Sequence, residues 1–211
     1  MRRSSISRAV ALAFMFFPML SRAKPVKPKK PVVLFLGDSL TLGLGVDEGK
    51  SFPELVGKRW KRERKPWKAR SFGILGGDSG DIRDYLDLNL TDDVGLVFLM
   101  IGENDGLNKN PPDKVRAHLI EIIEHLRTRG IPVAIAAMGA RAGADREYAI
   151  AFNNIYPELA RRYKIPMMPF PLRGIFDHAE LTVDGSHPNE KGQRMLAERV
   201  YDFLDPSRLP R

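Results

Sequence analysis

Apolar residues in this chain follow two rhythms that take turns. Unbroken runs, PVVLFLG (31–37), VGLVFLMIG (94–102) and IPVAIAAMG (131–139), have the length and continuity of strands buried on both faces. KARSFGIL (68–75) and IPMMPF (165–170) are weaker members of the same class. Between these runs the apolar positions recur at helical spacing. SFPELVGKRWKRE (51–63) has a Ser cap, an early Pro and apolar residues at Phe52, Leu55, Val56 and Trp60. SGDIRDYLDLNL (79–90) predicts a short helix through Ile82, Leu86 and Leu90. PDKVRAHLIEIIEHLRTRG (112–130) predicts a long one that starts at Pro112-Asp113 and stops at Gly130. One helix is expected over 146–163, with Pro157 as a kink or break, and a last one over 189–204. Apolar strands alternating with helices predict an α/β fold, a parallel sheet covered on both faces.

In such a sheet, ligands bind outside the carboxyl ends of the strands. Four polar blocks fall at that edge: GDSL (37–40) after the first strand, GGDSG (76–80) after the second, GEND (102–105) after the third, and DGSHPN (184–189) before the last helix. Taken singly, each has a bland reading. Ser39 is a turn or capping serine or a nucleophile, and Asp38 a residue that caps the loop holding it. Gly76 and Gly77 are turn glycines, or places where a backbone N–H can approach a substrate oxygen. Asn104 is a turn residue, or an amide aimed at that same oxygen. Asp184 and His187 say more, because three residues of loop let the carboxylate reach Nδ1, fix the tautomer and leave Nε2 as a base. Together with Ser39 they follow the nucleophile–base–orienter logic of a hydrolytic triad, in chain order Ser, Asp, His. His118, His125 and His178 show no carboxylate or metal-ligand pattern and read as structural or exposed.

The formal charge of +8 invites a nucleic-acid reading until it is located. Arg2, Arg3, Arg8 and Arg22 carry half of it within residues 1–23, and the four lysines of KPVKPKK (24–30) carry the rest. From Pro31 onward 26 basic residues balance 26 acidic ones, so the folded part has no surplus for a polyanion, and no nucleic-acid partner is expected. RWKRERK (59–65) is a local basic run on an amphipathic helix, a solvated face. Residues 1–23 have the form of a signal peptide: a positive start, the apolar run AVALAFMFFPML, then SRA with cleavage near Ala23. An exported protein, periplasmic or secreted, is therefore expected, with a Pro/Lys linker at 24–30 and one domain over 31–211. There is no cysteine, which removes disulfides, thiolate metal sites and a cysteine nucleophile. No His/Asp/Glu spacing points to a metal, and no cofactor is called for.

The four blocks, in this order and spacing, resemble those of the SGNH (GDSL) hydrolases, and within them the bacterial arylesterase and thioesterase I–lysophospholipase group. The resemblance spans Val32 to Leu204. It implies a flavodoxin-like α/β/α sandwich with five parallel strands. It implies Ser39 as nucleophile, His187 as general base and then acid, and Asp184 as its orienter. The oxyanion hole it implies is made of the Ser39 and Gly77 backbone N–H groups and the Asn104 side chain, Gly77 being preferred over Gly76 because it keeps Asp78 in register. The substrate implied is a small carboxylic ester, a thioester or a lysophospholipid, the last bringing transient contact with membrane lipid. A carbohydrate O-acetylesterase of the cell envelope and a non-catalytic exported binding module are the alternatives. The blocks specify neither acyl-chain length nor oligomeric state. Two departures from the family pattern stand out. Glu103 replaces a small residue beside Asn104, and GARAGADRE (Gly139–Glu147) replaces a loop rich in proline and asparagine.

Overall fold

Every residue of the strand β1 (Val32–Asp38) is buried, as its unbroken apolar run requires. In the computed structural model, which describes residues 30–176 and 178–204, β1 is flanked by parallel partners on both sides. The leader at 1–23 lies outside the described residues, as does the linker apart from Lys30. The other strands are β2 (Lys68–Ile74), β3 (Val94–Met100), β4 (Val133–Ala136) and β5 (Met167–Met168), in the spatial order β2-β1-β3-β4-β5. All four pairings are parallel, giving the five-stranded flavodoxin-like sheet that the sequence predicts. The strand order reverses between β1 and β3, and the crevice at that switch point is where such sheets bind ligands. The weak pattern of β2 has a plain cause: it is an edge strand, half-covered rather than buried.

Eight helices cross the described residues: α1 (Ser39–Leu42), α2 (Phe52–Arg62), α3 (Ser79–Asp84), α4 (Glu103–Leu107), α5 (Pro112–Thr128), α6 (Arg146–Asn153), α7 (Ile155–Tyr163) and α8 (Glu190–Phe203). α2 packs with α8, while α3, α6 and α7 pack on α5, so the sheet is sandwiched between two helical layers. Phe35 of β1 centres the core, 5.7 Å from Phe52, 5.8 Å from Phe98 and 6.3 Å from Trp60, ring centre to ring centre. Such rings at these spacings add about 0.5–1.5 kcal/mol per pair beyond the area they bury. The basic run of α2 is engaged with the neighbouring helix: Arg59 pairs with Glu63 and with Glu198 of α8 and lies over the Tyr201 ring. None of the helices among the described residues is long and apolar enough to cross a membrane.

Three expectations need correction. The single helix over 146–163 is two, broken at Asn154 rather than at the proline itself. Pro157 has no N–H for the Asn153 carbonyl, and its ring would collide with it, so the chain restarts where the proline falls in the first turn. The segment 79–90 ends its α-helix at Asp84 and continues as a 3₁₀ turn over Asp87–Asn89. The third correction concerns GDSL and GEND, expected as turns. Each opens directly into a short helix, α1 or α4, whose one turn is too brief to leave an amphipathic signature.

Candidate active site

The four polar blocks meet at the carboxyl edge of the sheet. Ser39 is the first residue of α1, where a backbone N–H has no intrahelical partner. Asp38 caps that helix, its Oδ1 accepting the Leu40 N–H at 2.9 Å. Gly37 makes the close turn possible, because a Cβ there would run into the Thr41 hydroxyl and the Met100 carbonyl. The serine side chain is thereby held at the end of β1, mostly covered, facing the loop that precedes α8.

Across that gap the Ser39 Oγ and His187 Nε2 stand 3.0 Å apart. On the other side of the ring, His187 Nδ1 lies 2.7 Å from Asp184 Oδ2, so Nδ1 carries the proton and Nε2 is free to accept one. The other carboxylate oxygen, Asp184 Oδ1, accepts the backbone N–H groups of Ser186 at 2.9 Å and His187 at 2.8 Å. One carboxylate therefore shapes the loop and orients the imidazole at once. The His187 hydrogen bond, then the two backbone N–H groups, draw the Asp184 carboxyl down to about 2.

Asn104 is the second residue of α4, and Gly102 ahead of it has φ 125°, a conformation that favours glycine. A side chain on Gly102 would also collide with the Tyr156 hydroxyl, which donates to the Ile101 carbonyl at 2.7 Å. The Asn104 amide donates to the Gly77 carbonyl at 2.9 Å and stands 3.5 Å from Asp38 Oδ2. The structure thus brings Gly77 to Asn104 but does not leave its N–H open: Gly77 N–H donates to the Ile74 carbonyl at 3.0 Å. A substrate oxygen received by Gly77 must share that hydrogen or open the Ile74–Gly77 turn.

Two sets of residues received no role in the sequence reading. Ser79, next to the GGD turn, donates its N–H to Asp105 Oδ2 at 2.9 Å and its hydroxyl to Asp105 Oδ1 at 2.8 Å. His118 Nδ1 lies 3.0 Å from the same hydroxyl, and Asn110 joins Asp78 to Asp105. His118 is therefore a partnered, buried histidine with a structural role, as expected, whereas His125 meets Asp87 at 2.8 Å, correcting the expectation that it has no carboxylate partner. Ser79, His118 and Asp105 are not a second triad. The carboxylate binds the serine rather than the imidazole, and Ser79 has no exposed surface. They lock α3 to α4 and so fix Gly77 against Asn104. The signal available in the sequence was the pair of polar residues, Ser79 and Asp105, each beside an assigned one.

The second set is Glu103 and Arg141. Both line a pocket of about 570 Å³ beside the site, with Met138, Ala140, Phe170 and Phe176 among its walls. Burial pushes the Glu103 carboxyl up, against the pull of the Arg141 and His187 charges.

Asp38 is almost fully buried, and burial first, then the Glu103 and Asp105 charges, push its carboxyl up to about 7. Its folded value thus lies above its ordinary one of 3.8, so it contributes stability that is complete below pH 4 and lost as pH rises through 7. Asp38→Asn keeps the capping oxygen but cannot ionise. Between pH 5 and pH 8 the wild-type melting temperature is expected to fall relative to that variant by roughly 5–10 °C. Parallel melting curves would mean that Asp38 ionises alike in folded and unfolded chains.

Comparison with known proteins finds relatives along most of the chain. Residues 35–195 match the model of the GDSL-like Lipase/Acylhydrolase family. An arylesterase of Vibrio mimicus is 29% identical over 198 residues, 92% of this chain and 96% of that protein. Thioesterase 1/protease 1/lysophospholipase L1 of Escherichia coli (strain K12) is 26% identical over 177 residues, 82% of this chain and 83% of that one. Among solved structures, that of TesA superposes with a TM-score of 0.77 at 27% identity, covering 83% of this chain and 98% of the other.

Proposed function

We propose, from the premise that the chain belongs to the GDSL-like lipase/acylhydrolase family and is an ester hydrolase, that it works by acyl transfer to Ser39. His187 Nε2 takes the hydroxyl proton as Oγ adds to the ester carbonyl. The charge that builds on the carbonyl oxygen is met by the Ser39 N–H, the Asn104 amide and a shared Gly77 N–H. As the tetrahedral adduct collapses, His187 gives its proton to the departing alcohol or thiol, leaving an acyl-serine. Water then attacks the acyl carbon, giving its proton to His187, and the second adduct releases the acid and restores the Ser39 hydroxyl. Asp184 stays ionised throughout, stabilising the imidazolium that forms in each half-reaction.

The observation that carries this reading is the continuous contact from Ser39 Oγ through the His187 ring to Asp184, at 3.0 and 2.7 Å, over a chain separation of nearly 150 residues. The substrates are read as small carboxylic esters, thioesters or lysophospholipids, by analogy with the names its relatives carry. The leader at 1–23 supports action outside the cytoplasm.

A p-nitrophenyl ester series from acetyl to palmitoyl tests the reading. Hydrolysis within the series is expected, and its chain-length profile assigns the acyl preference. Activity confined to acetyl, with faster turnover of acetylated sugars, would move the substrate to carbohydrate O-acetyl esters. No turnover, together with no labelling of Ser39 by a serine-directed phosphonate, would leave a binding protein.

A further inference from the structure

Glu103 and Arg141 lie 38 residues apart in sequence and touch in space. Arg141, on the loop after β4, brings its Nε to 2.7 Å from Glu103 Oε1, without the alignment of a hydrogen bond. Its Nη2 donates to the Ser186 hydroxyl at 3.2 Å. Its guanidinium also stands 5.6 Å from the centre of the Phe176 ring, within cation–π range. Glu103 opens α4 and is bonded directly to Asn104; Ser186 is bonded directly to His187. One side chain therefore touches the neighbour of the oxyanion amide and the neighbour of the base.

The contact with Glu103 is not incidental. The Glu103 side chain is 9% exposed, and a carboxylate that deeply buried is costly to keep charged without a partner. Among the described residues Arg141 is the only cation paired with it. Arginine suits the position because its planar fork can serve two partners in fixed directions, which a lysine cannot.

We propose that Arg141 is a positioning residue for hydrolysis: it braces the Asn104 helix against the His187 loop, through Glu103 on one side and Ser186 on the other. The proposal rests on the reading of Ser39 and His187 given above. Loosening such a brace lets the oxyanion donor and the base drift apart, and a displacement of about 1 Å can cost up to 10²-fold in rate.

The test is steady-state hydrolysis of p-nitrophenyl butyrate by wild type, Arg141→Met, Arg141→Lys and Ser186→Ala. Arg141→Met is expected to lose about 10–100-fold in kcat with KM changed by less than about threefold, and Arg141→Lys to recover part of the loss. Ser186→Ala leaves the ion pair untouched, so it reports even if Arg141→Met fails to fold; a kcat loss of about three- to tenfold is expected. Wild-type kcat in Ser186→Ala and in every folded Arg141 variant overturns the proposal. A loss confined to KM also overturns it, since Arg141 would then be touching substrate rather than holding the machinery. Retained activity in Ser39→Ala would instead remove the underlying reading. Wild-type turnover that depends on Ser39 but not on Arg141 removes the brace alone.

Discussion

Ser39→Ala is expected to fold like the wild type and to lose roughly 10⁴–10⁶ in kcat on any ester the enzyme accepts. The size follows from chemistry: no other side chain in the site offers a nucleophile to the acyl carbon, so the residual rate is that of water assisted by the oxyanion donors. Folding is spared because, among the described residues, the Ser39 hydroxyl is bonded only to His187, and alanine is at home in the first turn of a helix. Measured beside the wild type, kcat for p-nitrophenyl butyrate and the melting temperature decide it. Retained turnover in pure protein would mean that Ser39 only opens α1 and is not the nucleophile.

His187→Asn should be nearly as severe, a loss of about 10⁴–10⁶ in kcat with the melting temperature within a few degrees of wild type. Asparagine has no ring nitrogen to hold a proton between Ser39 and the departing group, so both half-reactions lose their proton carrier. The histidine is a better test than its carboxylate partner. Asp184 also accepts the Ser186 and His187 backbone N–H groups, so replacing it would disturb the loop as well as the chemistry. The His187 ring, by contrast, makes hydrogen bonds among the described residues only to Ser39 and Asp184. Unfolding of His187→Asn would favour a structural role for the ring. Loss of turnover in a fully folded variant supports the base.

Ionisation gives these variants a working range. Asp184 is held ionised down to about pH 2, so the orienting carboxylate is present wherever such an ester can be assayed. Asp38 behaves oppositely, and its charge appears only near neutrality, on the residue directly before the nucleophile. Stability and activity profiles should therefore be compared at the same pH for every variant.

What the sequence by itself determined is what local physics can encode. Continuous apolar runs marked three strands and weaker runs the other two, because the inner strands of a parallel sheet covered on both faces have no polar side to alternate with. Capping residues, Pro112 and Gly130 bounded the long helix, whose end closes as expected with Gly130 in a left-handed turn and the Ile131 N–H on the Leu126 carbonyl. Residue type and order at three strand ends and in the loop before the last helix marked Ser39, Gly77, Asn104, Asp184 and His187 as candidates, because carboxyl-edge loops are where such a sheet can hold chemistry. The tertiary structure decided everything that depends on which loops face each other. It engaged the Gly77 N–H in a turn, joined Ser79, His118 and Asp105 across three helices, and buried Asp38 until its charge became costly. It also set Arg141 against Glu103 and Ser186. Those contacts bridge 26 to 45 residues of chain, except the local Gly77 turn and the burial of Asp38. Their existence depends on how the strand–helix crossovers close, which no periodicity in the sequence records.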